Sequence, residues 1–248
     1  MKRPHVLLAL SAFTVLACAA CNSSPGRPGT GSEVIPPDQV VEFNVLYGQN
    51  CAGCHGTSGN GGATIALRDP VFLTIADDAV IRRAAANGVR GTAMPAFAQS
   101  AGGMLTDKQI DALVRGIRSW AQSGLLPGAN PPPYAAQTPG DPQRGAEVYQ
   151  TFCSSCHGPD GTRGKRASSI VDGSYLALVS DQYLRTTVIA GRPELGAPDW
   201  RENVPGRPMS DQEVTDVVAW VVSRRAHNPG QPYPDSKNVQ HWEHHDVD

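Results

Sequence analysis

Apolar positions along the chain form helical stripes separated by glycine- and proline-rich loops, and the same succession runs twice. Val40, Phe43, Val45, Leu46 and Tyr47 make an approximate stripe that leads into Cys51. Asn60-Gly61-Gly62 reads as a loop. Thr74 to Asp77 reads as a capping box for a helix through Ala86, which Gly88 stops. Gly91 to Phe97 is non-helical. Thr106 with Gln109 is a second capping box, opening a helix that carries Ile110, Leu113, Val114, Ile117 and Trp120. The later copy starts at Asp141-Pro142, an N-cap followed by proline at the first helical position. In it, Ser180 caps a middle helix ending at Gly191, and Ser210 with Glu213 opens a last helix through Val214, Val217, Val218, Val221 and Val222.

The flanks carry different patterns. An apolar run from Val6 to Leu16 follows Lys2 and Arg3 and precedes small residues, which predicts a bacterial export signal over 1–21. The run is too short for a permanent membrane span. Val15-Leu16-Ala17-Cys18 looks like a lipobox and Cys18-Ala19-Ala20-Cys21 like a second, so a lipid anchor on Cys18 or Cys21 is expected. Ordinary cleavage near Ala20, giving a soluble periplasmic protein, is the alternative. Residues 22–37 read as a flexible tether and 122–140, with Pro131-Pro132-Pro133, as a semi-rigid spacer or a packed strap. The expected order is completed by domains over 38–121 and 141–226 and a disordered polar tail over 227–248. His241, Trp242, His244 and His245 in that tail could bind metal adventitiously.

The formal charge of −2 becomes more negative once Lys2 and Arg3 are cleaved away, which is no profile for a nucleic-acid partner. Of six cysteines, four fall in Cys51-Ala52-Gly53-Cys54-His55 and Cys153-Ser154-Ser155-Cys156-His157. Each is a C-x-x-C-H signature for covalent c-type haem, with two thiols to reach two vinyl groups and an imidazole for the iron. A zinc site shared between the pairs is the rival, made unattractive by the separation of about a hundred residues and by the matching histidines. A thioredoxin-like pair lacks a βαβ context. Scarce aromatics and 26 glycines with 21 prolines suit loops wrapped over a large flat cofactor.

Helix, haem motif, loops, methionine segment, helix: each half resembles the class I cytochrome c domain. The resemblance covers about 38–226 and implies an all-α fold of two tandem domains, each wrapped around one of two covalently attached haem c groups. It implies Cys51, Cys54, Cys153 and Cys156 as attachment points and His55 and His157 as proximal ligands. Met94, in Met94-Pro95, is implied as the distal ligand of the first iron, with Met104 as its rival. It offers the Pro70 carbonyl as hydrogen-bond partner for the proximal imidazole. In the second half the resemblance breaks, because Ala197-Pro198 aligns with Met94-Pro95. Met209 becomes the candidate ligand by default; core packing, an open site, a tail histidine and a ligand from a partner are the alternatives. Arg163, Lys165 and Arg166 form a solvated basic loop or a docking patch.

No poised nucleophile or acid–base pair is legible, and two haems in tandem make a one-electron relay. The expected function is electron transport on the periplasmic side, between a membrane respiratory or photosynthetic complex and a donor or acceptor, which includes a soluble redox protein. A non-catalytic carrier or subunit is favoured over the alternative, a di-haem oxidoreductase whose second haem is open to peroxide or a small sulfur compound.

Overall fold

The computed structural model describes residues 35–121 and 129–226. The export signal, Cys18 and Cys21, the tether up to residue 34, residues 122–128 and the tail histidines lie outside the described residues. Contacts divide the chain into a unit over 1–39 and a unit over 40–248. In the first, Pro37–Gln39 is a single 3-10 turn.

The second unit is all helix and loop, as expected. Among the described residues there is no strand, only isolated bridges at Ala98–Leu105 and Arg192–Ala197. Numbered here in chain order, the helices are α1 Phe43–Asn50, α2 Ala52–His55, α3 Pro70–Ile75, α4 Asp78–Asn87 and α5 Asp107–Arg118. The same order returns as α6 Pro142–Phe152, α7 Ser154–His157, α8 Gly173–Leu178, α9 Asp181–Ala190 and α10 Asp211–Val222. No helix among them is long and apolar enough to cross a membrane.

Most caps stand where the sequence puts them. Thr106 and Gln109 bond reciprocally, as do Ser210 and Glu213. Asp141 accepts from the Gln143 and Arg144 amides, and Ser180 from the Tyr183 amide. Thr74 does not cap: it lies inside α3 and donates to the Pro70 carbonyl at 2.8 Å. Asp77 caps α4 instead, accepting from the Val80 amide at 2.7 Å. The helices α3 and α8 are additions to the sequence reading. Each starts at an aspartate cap, Asp69 or Asp172. Trp120 lies beyond the end of α5.

In each copy the opening and closing helices pack together, α1 on α5 and α6 on α10. A glycine permits each close approach. A Cβ on Gly116 of α5 would lie 1.9 Å from the Phe43 ring of α1, and one on Gly145 of α6 would lie 2.0 Å from the Asp216 carbonyl oxygen of α10. Asp216 is only 2% exposed and ties the second crossing. It accepts from the Asp141 amide, from Arg144 Nε and Nη2, and from Gln212 Nε2 at 2.8–3.0 Å.

Arginines finish the helix ends. Arg118 donates to the Leu73 and Ala76 carbonyls and to Asp78. Arg225 does the same for Leu176, Val179 and Asp181. Both satisfy carbonyls left over at the ends of the short helices α3 and α8. The chain leading into α6 runs as a strap: buried Arg185 of α9 donates to the carbonyls of Pro133 and Tyr134, to Thr215 Oγ1 and to Asp211. Leu46, Tyr47, Ala98, Leu105, Ile110 and Leu113 form a cluster within the first copy, and a second cluster spans both copies. Val71, Phe72, Leu73 and Ile117 share one buried cluster with Tyr149, Leu176, Ile189 and Val217, and α3 packs on α9.

Candidate haem sites

Cys51 ends α1 and begins α2, and Cys153 does the same between α6 and α7. The amides of Cys54 and His55 both bond the Cys51 carbonyl, at 3.2 and 3.0 Å; those of Cys156 and His157 bond Cys153 at 3.1 and 3.0 Å. One helical turn thus brings the two thiols and the imidazole, spaced three and four apart, to one side of the chain. All four cysteines are free thiols. Burial, reinforced by Cys54, pushes the Cys51 thiol up to about 11. Burial, reinforced by Cys156, pushes Cys153 up to about 12, so both are protonated at neutral pH. Tyr47 and Tyr149 brace the turns equivalently, their hydroxyls donating to the carbonyls of Gly56 and Gly158.

The imidazoles show how the donor set fits an iron. His55 Nδ1 lies 2.9 Å from the Ile65 carbonyl oxygen and His157 Nδ1 lies 3.1 Å from that of Ser168. A carbonyl can only accept, so in both rings Nδ1 carries a proton, and in the neutral ring Nε2 then keeps a free lone pair. Such a fixed tautomer is what a ligating histidine requires. Burial lowers the His55 pKa, against the opposing effect of the Ile65 bond, and favours the neutral ring. The acceptor is Ile65 and not Pro70, whose carbonyl is taken by Thr74. Pro70 is withdrawn from the imidazole because it is the first residue of α3, with its carbonyl committed along that helix. The two acceptors are backbone atoms of unlike residues, so no side-chain signal marks them in the sequence.

Met94 lies in the loop after α4 and is partly exposed; its carbonyl accepts from the Val89 amide at 3.0 Å. Met104 is 82% exposed. Met209 is 2% exposed and belongs to the shared core. Ala197 takes the place of Met94, its carbonyl accepting from the Arg192 amide at 2.9 Å. The two C-x-x-C pairs are not brought together: among the described residues no group of three or more His, Cys, Asp or Glu is arranged to hold a metal. That leaves the shared-zinc alternative without a site. Arg163, Lys165 and Arg166 are exposed, in keeping with a solvated loop. Arg192 was not singled out by sequence. Its Nη2 donates to the Gly62 carbonyl at 2.9 Å, joining the loop before Ala197 to the loop after His55.

The family model described as cytochrome c oxidase, cbb3-type, subunit III, matches residues 38–115 and again 140–221. A cbb3-type cytochrome c oxidase subunit FixP of Sinorhizobium medicae is 30% identical over 58% of this chain and 50% of its own. The FixP subunits of Azorhizobium caulinodans and Rhizobium meliloti are each 29% identical, over 61% and 62% of this chain and 50% and 53% of theirs. The chain spans about half the length of these curated relatives. A chain of the Kuenenia stuttgartiensis reducing HAO-like protein complex Kustc0457/Kustc0458 is 18% identical, with a TM-score of 0.43, over 74% of this chain and 96% of that one.

Proposed function

We propose that this chain, which belongs to the cbb3-type cytochrome c oxidase subunit III family, holds two covalent haem c groups and relays electrons one at a time. The relay runs on the periplasmic side of a bacterial membrane, between a membrane oxidoreductase and a terminal donor or acceptor complex, as a non-catalytic subunit or carrier. The observation that carries this reading is the repeated C-x-x-C-H turn with its histidine held in one tautomer by a backbone carbonyl. Cys51 and Cys54 would hold the first haem and Cys153 and Cys156 the second. Nε2 of His55 and of His157 would face the irons, and the Met94 sulfur would complete the first. When bound, each haem supplies a one-electron couple; this chain's residues set its potential through ligand identity and burial. The Ile65 and Ser168 carbonyls hold the rings in orientation while Tyr47 and Tyr149 fix the turns. Met209 stands apart, because its position is that of Leu105.

Each copy, 38–121 and 141–226, is proposed to wrap its own haem while sharing part of its core with the other, and a lipid on Cys18 or Cys21 is proposed as the tether to the membrane face. The relatives named FixP are oxidase subunits, which favours a respiratory complex as partner. Production in a host that attaches haem should give an intact mass two haems above the apoprotein. The C153A/C156A variant should lose one. Reduced protein should be reoxidised by membranes that contain a haem–copper oxidase. Stoichiometric zinc, or a reduced protein that such membranes leave reduced, would sink the proposal.

A further inference from the structure

We propose that the second haem site has no sulfur ligand from this chain, so that the sixth iron position is open to a small exogenous ligand, with Thr187 placed to donate a hydrogen bond to it. The inference rests on the di-haem reading above. The ligand class is a small anion or diatomic with an acceptor atom.

Three observations converge. First, α4 and α9 both end at a glycine in the left-handed region, Gly88 at φ +68° and Gly191 at φ +71°, and in each copy the following loop folds back over that glycine. A Cβ on Gly88 would lie 2.7 Å from the Met94 carbonyl oxygen, and one on Gly191 would lie 2.7 Å from that of Ala197. The Val89-to-Met94 and Arg192-to-Ala197 backbone bonds give the same correspondence independently. A methyl group has no lone pair to offer an iron.

Second, Met209 fills a different place. Its amide bonds the Trp200 carbonyl at 2.9 Å, as that of Leu105 bonds the Phe97 carbonyl at 2.8 Å. The next residue in each case is a helix cap of nearly the same backbone conformation, Ser210 at φ −73°, ψ 163° and Thr106 at φ −70°, ψ 161°. Leu105 is core at 6% exposure and Met209 at 2%. Methionine replaces leucine in a core at little cost, since the two have similar volume.

Third, among the described residues one buried side-chain oxygen lacks a hydrogen-bond partner, and it is Thr187 Oγ1. Its neighbour Thr186 donates to the Gln182 carbonyl, so the local helix could have satisfied Thr187 in the same way and does not. Thr187 stands four residues before Gly191, where the first copy has Ala84 four before Gly88. The second copy has therefore exchanged a thioether for a methyl and a methyl for an unpaired hydroxyl, both around the same helix end. An unpaired buried donor is costly, and a ligand with an acceptor atom would supply the missing bond.

The experiment uses the holoprotein, its haem count first fixed by intact mass and pyridine haemochrome; one haem per chain overturns the di-haem reading itself. With two, electron paramagnetic resonance of the ferric protein should show one low-spin and one high-spin iron, and the ferrous protein should take up one equivalent of carbon monoxide. A197M should turn the second iron low-spin and abolish that uptake, while M209L should match wild type. T187V should keep the high-spin signal and bind fluoride about three- to tenfold more weakly, the loss expected for one hydrogen bond. A second iron that is low-spin in wild type, or an A197M variant that stays high-spin, overturns the open site. So does an M209L variant that changes the spin state. Unaltered fluoride affinity in T187V overturns the assignment of the donor.

Discussion

At His55 and His157 one ring nitrogen decides what the other can do. With Nδ1 of the neutral ring donating to a carbonyl, Nε2 is left as a lone pair, and the choice is made by Ile65 and Ser168 backbone atoms. Met94 is the residue whose loss should separate the two sites. M94A should remove the weak near-infrared sulfur-to-iron band of the first haem and lower its potential, read by spectroelectrochemistry, because a thioether ligand raises the potential. An unchanged spectrum would return the ligand role to Met104. Asp216 makes a residue-scale prediction of a different kind. Burial alone would raise its carboxyl, but bonds from Arg144, the Asp141 amide and Gln212 outweigh it and hold the group below the usual carboxylate range. A folded-state pKa depressed below the unfolded value of about 3.9 contributes stability above that value, which is lost as pH falls through the lower, folded one. D216N should flatten this acid limb and lower stability at neutral pH, measured by denaturant unfolding across pH, with the loss tempered by the half-exposed Arg144 partner.

The helices show how local rules and contacts divide the work. Their starts are set by side chains within a few residues of the cap, so Thr106, Asp141, Ser180 and Ser210 are readable from sequence. The same rule was available for α3, since Asp69-Pro70 repeats Asp141-Pro142. Thr74 competed with it as a cap, and a threonine hydroxyl that can bond back to the carbonyl four residues earlier gives no unique local answer. Crossing glycines are another matter, because only the facing helix reveals them. G145A would press a methyl against the Asp216 carbonyl oxygen, a backbone atom that cannot rotate away. It should lower the unfolding free energy by about 3 kcal/mol, measured from denaturant midpoints, as overpacking does. A neutral G145A would mean that α6 and α10 can separate at no cost.

At the scale of the molecule, the buried cluster that joins Val71, Phe72 and Leu73 to Leu176, Ile189 and Val217 couples the copies. Arg192 adds a polar link to Gly62. Elements that share a core unfold together, so calorimetry of the holoprotein should give one transition with equal calorimetric and van't Hoff enthalpies. Two separated transitions would show that each copy is stable without the other.

The sequence by itself determined what depends on neighbours in the chain: the all-helical succession, its duplication, most caps, and the two turns that align Cys51, Cys54 and His55 and their counterparts. Each follows from helical periodicity or from side-chain-to-backbone bonds of short reach. Tertiary structure alone decided what depends on residues far apart. It assigned Ile65 to the first imidazole in place of Pro70 and Ser168 to the second, and among the alternatives open for Met209, whose position before the cap already matched that of Leu105, it showed the side chain buried. It also left Thr187 Oγ1 without a partner. The physical reason is that a side chain's role at these positions is set by which backbone atoms the fold brings within about 3 Å, the reach of a hydrogen bond. Residue type and spacing carry no record of that distance.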